Sequence, residues 1–128
     1  MAQTQLDTAF KMPKDRFNLF QGSNVRGEEV VKLLKYKKRE VSQASGVGLN
    51  SIRYDVKMPQ ELEERLIEWA TTINLVADFF KDVDKTILWF YTPNPLLGEQ
   101  TPRDMIRIGR SKKLIKFIRN ALSENKPR

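Results

Sequence analysis

Apolar residues recur along most of this chain at spacings of three and four, the period of helices packed on a core rather than the alternation of strands. The first such run covers residues 28–36. Val30, Val31, Leu33 and Leu34 form its apolar side, and Glu28 and Glu29 stand at its start, where the helix dipole favours negative charge. Lys35, Lys37, Lys38 and Arg39 crowd its end. The longest run extends from Pro59 to Phe80, with Leu62, Leu66, Trp69, Ile73, Val76 and Phe80 as a stripe that Ile67, Ala70 and Ala77 widen. That stripe is broader than one core face requires, so this helix is expected to bridge two halves of the molecule, with a dimer seam as a further use. Asp82 or Asp84 can cap the next helix, which carries Val83, Ile87, Phe90 and Tyr91. Leu114, Ile115, Phe117, Ile118, Ala121 and Leu122 give a last helix over residues 111–123. Residues 1–26 sustain no period, although Phe10, Met12, Phe17, Leu19 and Phe20 are apolar, and Gly22-Ser23-Asn24 reads as a break. The pattern predicts an all-α protein.

Two stretches carry more than packing. From Lys38 to Tyr54, a short helix with Val41 and Ala44 is followed by Gly46, Val47 and a second short helix with Ile52. That order suits a helix-turn-helix, which needs a small residue where its helices touch and a residue tolerant of positive φ at the turn. In such a unit the second helix lies in the major groove, and its early side chains face base edges. Asn50, Ser51, Arg53 and Tyr54 are the residues so placed, with Lys38 and Arg39 directed at phosphates. Two packed helices without DNA would show the same pattern, and Gly48-Leu49 is a weak opening for a recognition helix.

The second stretch is Trp89-Phe90-Tyr91-Thr92-Pro93-Asn94-Pro95-Leu96-Leu97-Gly98, followed by Thr101-Pro102-Arg103-Asp104-Met105-Ile106. Pro93 and Pro95 push the residues before them out of the helical region, so a helix must stop here and the chain must run extended. Gly98 suits a left-handed turn. Thr101, Pro102 and Asp104 make a helix start: cap, first-turn proline and third-position acid. This helix is expected to run on through Ile108 to Gly109. The stretch reads as a rigid corner between helices, displayed at the surface.

Composition narrows the chemistry. The 128 residues contain no histidine and no cysteine. That removes the commonest general base, the Ser-His and Cys-His nucleophile pairs, the usual zinc ligands and any disulfide. There is no phosphate loop and no apolar run near the ~18 residues of a membrane span. A non-enzymatic, cytoplasmic protein without cofactor or metal and without membrane insertion is expected. The net charge is +7, unevenly spread: residues 1–58 carry +5, residues 59–100 carry −5 and residues 101–128 carry +7. Two basic ends invite an acidic partner, protein or nucleic acid.

With these residues in view, the chain resembles the Xre/MbcA/ParS antitoxin family. The resemblance rests on Leu88 to Gly98, Thr101 to Ile106 and Gly109-Arg110, with the segment 38–54 and the helix 59–80 resembling that family's Xre-like half. Glu99-Gln100 stand where the family often carries a glycine-containing pair. Residues 1–26 read from their weak pattern as an arm with no counterpart in the family, and the resemblance implies an Xre-like helix-turn-helix domain over 27–81 and a toxin-binding domain over 82–128. It further implies a homodimeric antitoxin that occludes the NAD pocket of a cognate RES-domain toxin, which is similar to ADP-ribosyltransferases, and that represses its own operon by binding operator DNA. The toxin-facing residues it implies are Trp89, Thr92, Pro93, Asn94, Pro95, Leu97, Gly98, Arg103, Arg107 and Arg110, with Lys126 and Arg128 of the tail. The competing expectation is a stand-alone helix-turn-helix regulator whose C-terminal part dimerises or binds another partner.

Overall fold

A two-residue antiparallel pair, β1 (Phe20–Gln21) and β2 (Asn24–Val25), leads into α1 (Gly27–Leu34), α2 (Lys38–Ser45) and a 3-10 turn at Leu49–Ser51. Next come α3 (Gln60–Phe80), α4 (Val83–Phe90), a second 3-10 turn at Pro95–Leu97, α5 (Pro102–Arg107) and α6 (Ser111–Glu124). The structure is a computed structural model and describes residues 12–124. The fold is all-α; among the described residues the β structure is this short pair and an isolated bridge between Asn94 and Gln100.

α3 is the axle. β2, α1, α2, α4 and α6 all pack on it, which is why its buried positions surround the helix instead of forming one stripe. Leu62, Leu66, Trp69, Ala70, Ile73 and Ala77 are fully buried, and the polar Thr72 and Asn74 are buried with them. Thr72 satisfies its hydroxyl on the Glu68 carbonyl one turn back, at 2.7 Å. One apolar cluster runs from Leu19 through Trp69 and Phe90 to Ile118. Residues on both sides of position 81 share it, as the width of the α3 stripe led one to expect.

Most helix limits agree with the pattern, and the departures have physical causes. α1 stops at Leu34 and not at Tyr36, because Lys35 turns left-handed at φ 55°. That turn sends Tyr36 back into the core, edge-on to Trp69 with centroids 6.0 Å apart. α5 ends at Arg107 rather than Gly109, where Gly109 takes φ 81° and reverses the chain into α6. The larger correction concerns the second helix of the expected helix-turn-helix. α2 forms as expected and ends at Gly46 with φ 79°. In place of a second helix there is only the single 3-10 turn at Leu49–Ser51, after which Ile52 is extended. Asn50, Ser51 and Asp55 favour turns over helix interiors, and the Asp55 carboxylate accepts from the Lys57 N–H at 2.9 Å. Pro59 then holds Met58 out of the helical region. Between Gly48 and that proline no recognition helix forms.

The segment ahead of α1 is more structured than its irregular sequence suggests. The Asp15 carboxylate accepts from the Leu19 and Phe20 N–H groups at 2.8 and 3.0 Å and from the Asn74 amide of α3 at 3.0 Å. Arg16 pairs with Asp78 one helical turn further along, at 3.3 Å. Gly22-Ser23 is the turn of the β pair, with Gly22 at φ 63°. Residues 1–11 of the expected arm, with Phe10, lie outside the described residues.

Gly27 shows how closely α1 meets its neighbours. A Cβ there would lie 2.8 Å from Leu66 Cδ1 and 2.9 Å from Tyr54 Cδ1, and Leu66 has no room to retreat because it is fully buried. Gly27→Ala is therefore expected to cost about 1–3 kcal/mol despite alanine's better helix propensity. The check is a urea titration, whose midpoint should fall while its slope stays unchanged.

Candidate functional site

The corner between α4 and α5 is built by capping and by one asparagine. α4 opens on Asp82, whose carboxylate accepts from the Lys85 N–H at 2.9 Å, and it ends at Tyr91. Thr92 returns its hydroxyl to the Leu88 carbonyl at 2.5 Å, so the chain leaves the helix without a loose end. Asn94 then organises the loop. Its side-chain oxygen accepts from Leu96 N–H at 2.9 Å. Its carbonyl accepts from Leu97 and Glu99 N–H at 2.9 and 3.0 Å, and its own N–H donates to Gln100 at 3.0 Å. Gly98 and Glu99 both take left-handed φ, 69° and 66°, to close this ring of bonds. Thr101 caps α5 through Asp104 N–H at 2.9 Å, as its sequence signature predicts.

The corner's side chains divide in two. Leu97 packs half-buried against the core, and Leu96 points away from it with 78% of its surface exposed. Thr92, Pro93, Pro95 and Gly98 are exposed, while Trp89 and Asn94 are half-buried. Trp89 leans edge-on against the fully buried Phe90, centroids 5.1 Å apart. Together with the end of α3 and the last turns of α6, these residues enclose an apolar groove of about 210 Å³, walled chiefly by Phe79, Phe80, Trp89, Leu96, Phe117 and Leu122. Phe79 is half-exposed. Leu88, Val83 and Ile87 add exposed apolar surface along α4.

Among the expected partner-facing residues, Arg103 is engaged within the fold. Its guanidinium is turned inward. Nε donates to the Leu34 carbonyl and Nη2 to the Lys35 carbonyl at 3.0 Å. The charge thereby caps the C-terminus of α1, where the helix dipole is negative. The guanidinium also lies over two rings, 5.0 Å from the centre of Tyr36 and 5.4 Å from that of Tyr91. Both tyrosines are tied in turn: Tyr36 donates to the Arg103 carbonyl at 2.5 Å and Tyr91 to the Leu33 carbonyl at 2.6 Å. Burial pushes both phenols above their ordinary value, with the Arg103 charge opposing the shift. Arg103 is a clamp between α1 and α5. Nothing in the sequence around it distinguishes it from a surface arginine.

Arg107 pairs with Asp104 at 3.2 Å and is half-buried, whereas Arg110 is exposed. Lys126 and Arg128 lie outside the described residues. The basic side of this end of the molecule is α6, on which Lys112, Lys113, Lys116 and Arg119 are exposed. α6 begins at Ser111, so Lys112 and Lys113 do stand in its first turn, where cations are disfavoured by ~0.3–1 kcal/mol each. Glu68 of α3 offsets this: it accepts the Ser111 hydroxyl at 2.5 Å, placing a carboxylate at the helix start.

The residues expected to read DNA do not converge on one helix. Lys38 and Arg39 are exposed at the start of α2, and Asn50 and Ser51 are exposed on the 3-10 turn. Arg53 forks onto Asp55 at 2.8 and 2.5 Å, which holds that carboxyl below its usual range. Tyr54 is half-buried over Gly27, and burial pushes its phenol up. Among the described residues no group of three or more His, Cys, Asp or Glu is placed to hold a metal, and no helix is long and apolar enough to cross a membrane.

The sequence does not single out Phe79, Phe117 or Leu122 as groove residues. One signal was available: Phe79 follows Asp78 and precedes Phe80, so two adjacent aromatics cannot both face the core of one helix.

No protein-family model matches the chain, and no curated protein matches it. Among solved structures, a chain of the M. tuberculosis MbcT-MbcA toxin-antitoxin complex is similar, with a TM-score of 0.48 and 23% identity, over 78% of this chain and 93% of that one. At that score and identity, function has to be argued from the residues themselves.

Proposed function

We propose that this protein is an antitoxin: a non-catalytic binding protein that neutralises a RES-domain, NAD-consuming toxin by docking on it with its C-terminal end. The observation that carries this is the corner itself. A loop cross-braced by Asn94 presents Leu96 at 78% exposure beside an apolar groove. Rigid apolar display of this kind suits partner binding, because little conformational entropy remains to be lost on docking. The same residues, Trp89 to Gly98 and Thr101 to Ile106, carry the resemblance to the Xre/MbcA/ParS antitoxins. The absence of histidine and cysteine from the sequence weighs against catalysis. A homodimer belongs to the same proposal, with the exposed Val83, Ile87 and Leu88 of α4 as surface available for it.

Operator binding has less support, and so does a stand-alone regulator. Both need a recognition element, and Leu49–Ser51 supplies three residues. The test is to co-express the full chain with the toxin-like product of a neighbouring gene. A stable complex on size exclusion is expected. Failure to co-purify, with both proteins soluble, would remove the antitoxin reading and favour the regulator.

A further inference from the structure

Resting on the antitoxin reading, we infer that the apolar groove is where the partner is gripped, and that its occupant is an acidic segment of the toxin bearing one large aliphatic or aromatic anchor. Volume sets the anchor. About 210 Å³ between Phe79, Trp89, Leu96 and Phe117 admits one large side chain. The walls are apolar on every side but that of Asn94, so an apolar group loses only water on entering.

Charge sets the flanks of the occupant. The helix that supplies Phe117 and Leu122 carries Lys112, Lys113 and Lys116 on its exposed face. None of the three forms an ion pair among the described residues. Two of them stand in the first turn, where Glu68 meets the helix start through Ser111 but pairs with neither lysine. Acidic groups beside the anchor would neutralise these charges and speed encounter. A neutral or basic apolar segment would enter the groove but leave these three lysines without ion-pair partners.

The exposed Val83, Ile87 and Leu88 of α4 are not among the residues that line the groove.

The experiment measures binding of the full chain to the cognate toxin by titration calorimetry, over a range of salt concentrations. Leu96→Asp is expected to weaken binding by at least 100-fold, since it puts a charge at the mouth of the groove. Lys112→Glu combined with Lys113→Glu and Lys116→Glu is expected to weaken it by at least tenfold and to flatten its salt dependence. Val56→Asp, fully exposed on the loop before α3, serves as a control and should bind as wild type. Thermal melts by circular dichroism confirm that each variant folds, and Leu96→Ala is the milder substitute should Leu96→Asp fail to fold. If wild type binds the toxin and the Leu96 and lysine variants bind equally well, the groove inference fails while the antitoxin reading stands. If wild type does not bind at all, both fall.

Discussion

Trp69→Ala is expected to remove a large part of the protein's stability, about 3–5 kcal/mol of the 5–15 typical of a domain. Trp69 is wholly buried at the middle of α3, where the elements before and after that helix meet. Tyr36 stands edge-on against it, so truncation also deprives Tyr36 of its neighbour. Little can collapse into the space, because Leu66, Ala70 and Ile73 beside it are themselves fully buried on the same helix. The indole N–H has no hydrogen-bond partner among the described residues, which makes Trp69→Phe an informative companion. Phenylalanine loses apolar contact but also removes a buried, unsatisfied donor worth about 1–3 kcal/mol when orphaned. Trp69→Phe should therefore cost far less than its lost area suggests, within about 1–2 kcal/mol of wild type. Urea melts of both variants at neutral pH provide the check. Equal costs for Ala and Phe would mean that the indole N–H is satisfied, by an internal water for instance.

Arg103→Ala comes second, at about 3–4 kcal/mol. The side chain donates to two carbonyls at the end of α1, and charge-assisted bonds of this kind contribute about 1.5–3 kcal/mol each, not additively. Stacking on Tyr36 and Tyr91 adds to this, at about 0.5–1 kcal/mol per ring. For a domain of this size the melting temperature should fall by about 10–20 °C. Arg103→Lys should not restore it, because an ammonium cannot fork onto two carbonyls while lying flat between two rings. The left-handed Lys35 depends on the same clamp, so amide exchange should rise first around residues 34–36. A variant with wild-type stability and weakened partner binding would return Arg103 to the docking surface, where its sequence context places it.

How much could be read from the sequence depends on where the determining interactions lie. Local chemistry was readable. Asp82 and Thr101 cap the helices they precede, Pro93 stops α4, and Gly98 turns left-handed, because each effect acts within four residues of its cause. Tertiary pairings were not. Arg103 meets the Leu34 carbonyl 69 positions away, and Asn74 meets Asp15 59 positions away. No spacing rule connects such residues, so Arg103 looked like surface and residues 12–26 like loose chain. The missing second helix of the helix-turn-helix lies between these cases. Apolar Val47 and Ile52 fit the motif and both are buried. The turn-forming Asn50, Ser51 and Asp55, with Pro59 behind them, nevertheless decided the backbone. The apolar motif was satisfied by a loop that buries the same two side chains.

At the corner, the backbone could be read from the two prolines and the glycine, but the outward turn of Leu96 could not. It depends on Asn94 holding the Leu96 N–H, a bond that fixes which of two adjacent leucines faces the core. Asn94→Ala removes it together with the polar side chain in the groove wall, so it should loosen the loop without unfolding the helices that flank it.

The central claim, that this chain is a toxin-neutralising protein acting through its C-terminal corner, is tested most directly by growth and NAD level in cells expressing the cognate RES-type toxin. Wild-type chain should restore both, and Leu96→Asp, confirmed as folded by its melt, should restore neither. Full toxicity in the presence of abundant, folded wild-type chain would contradict the claim.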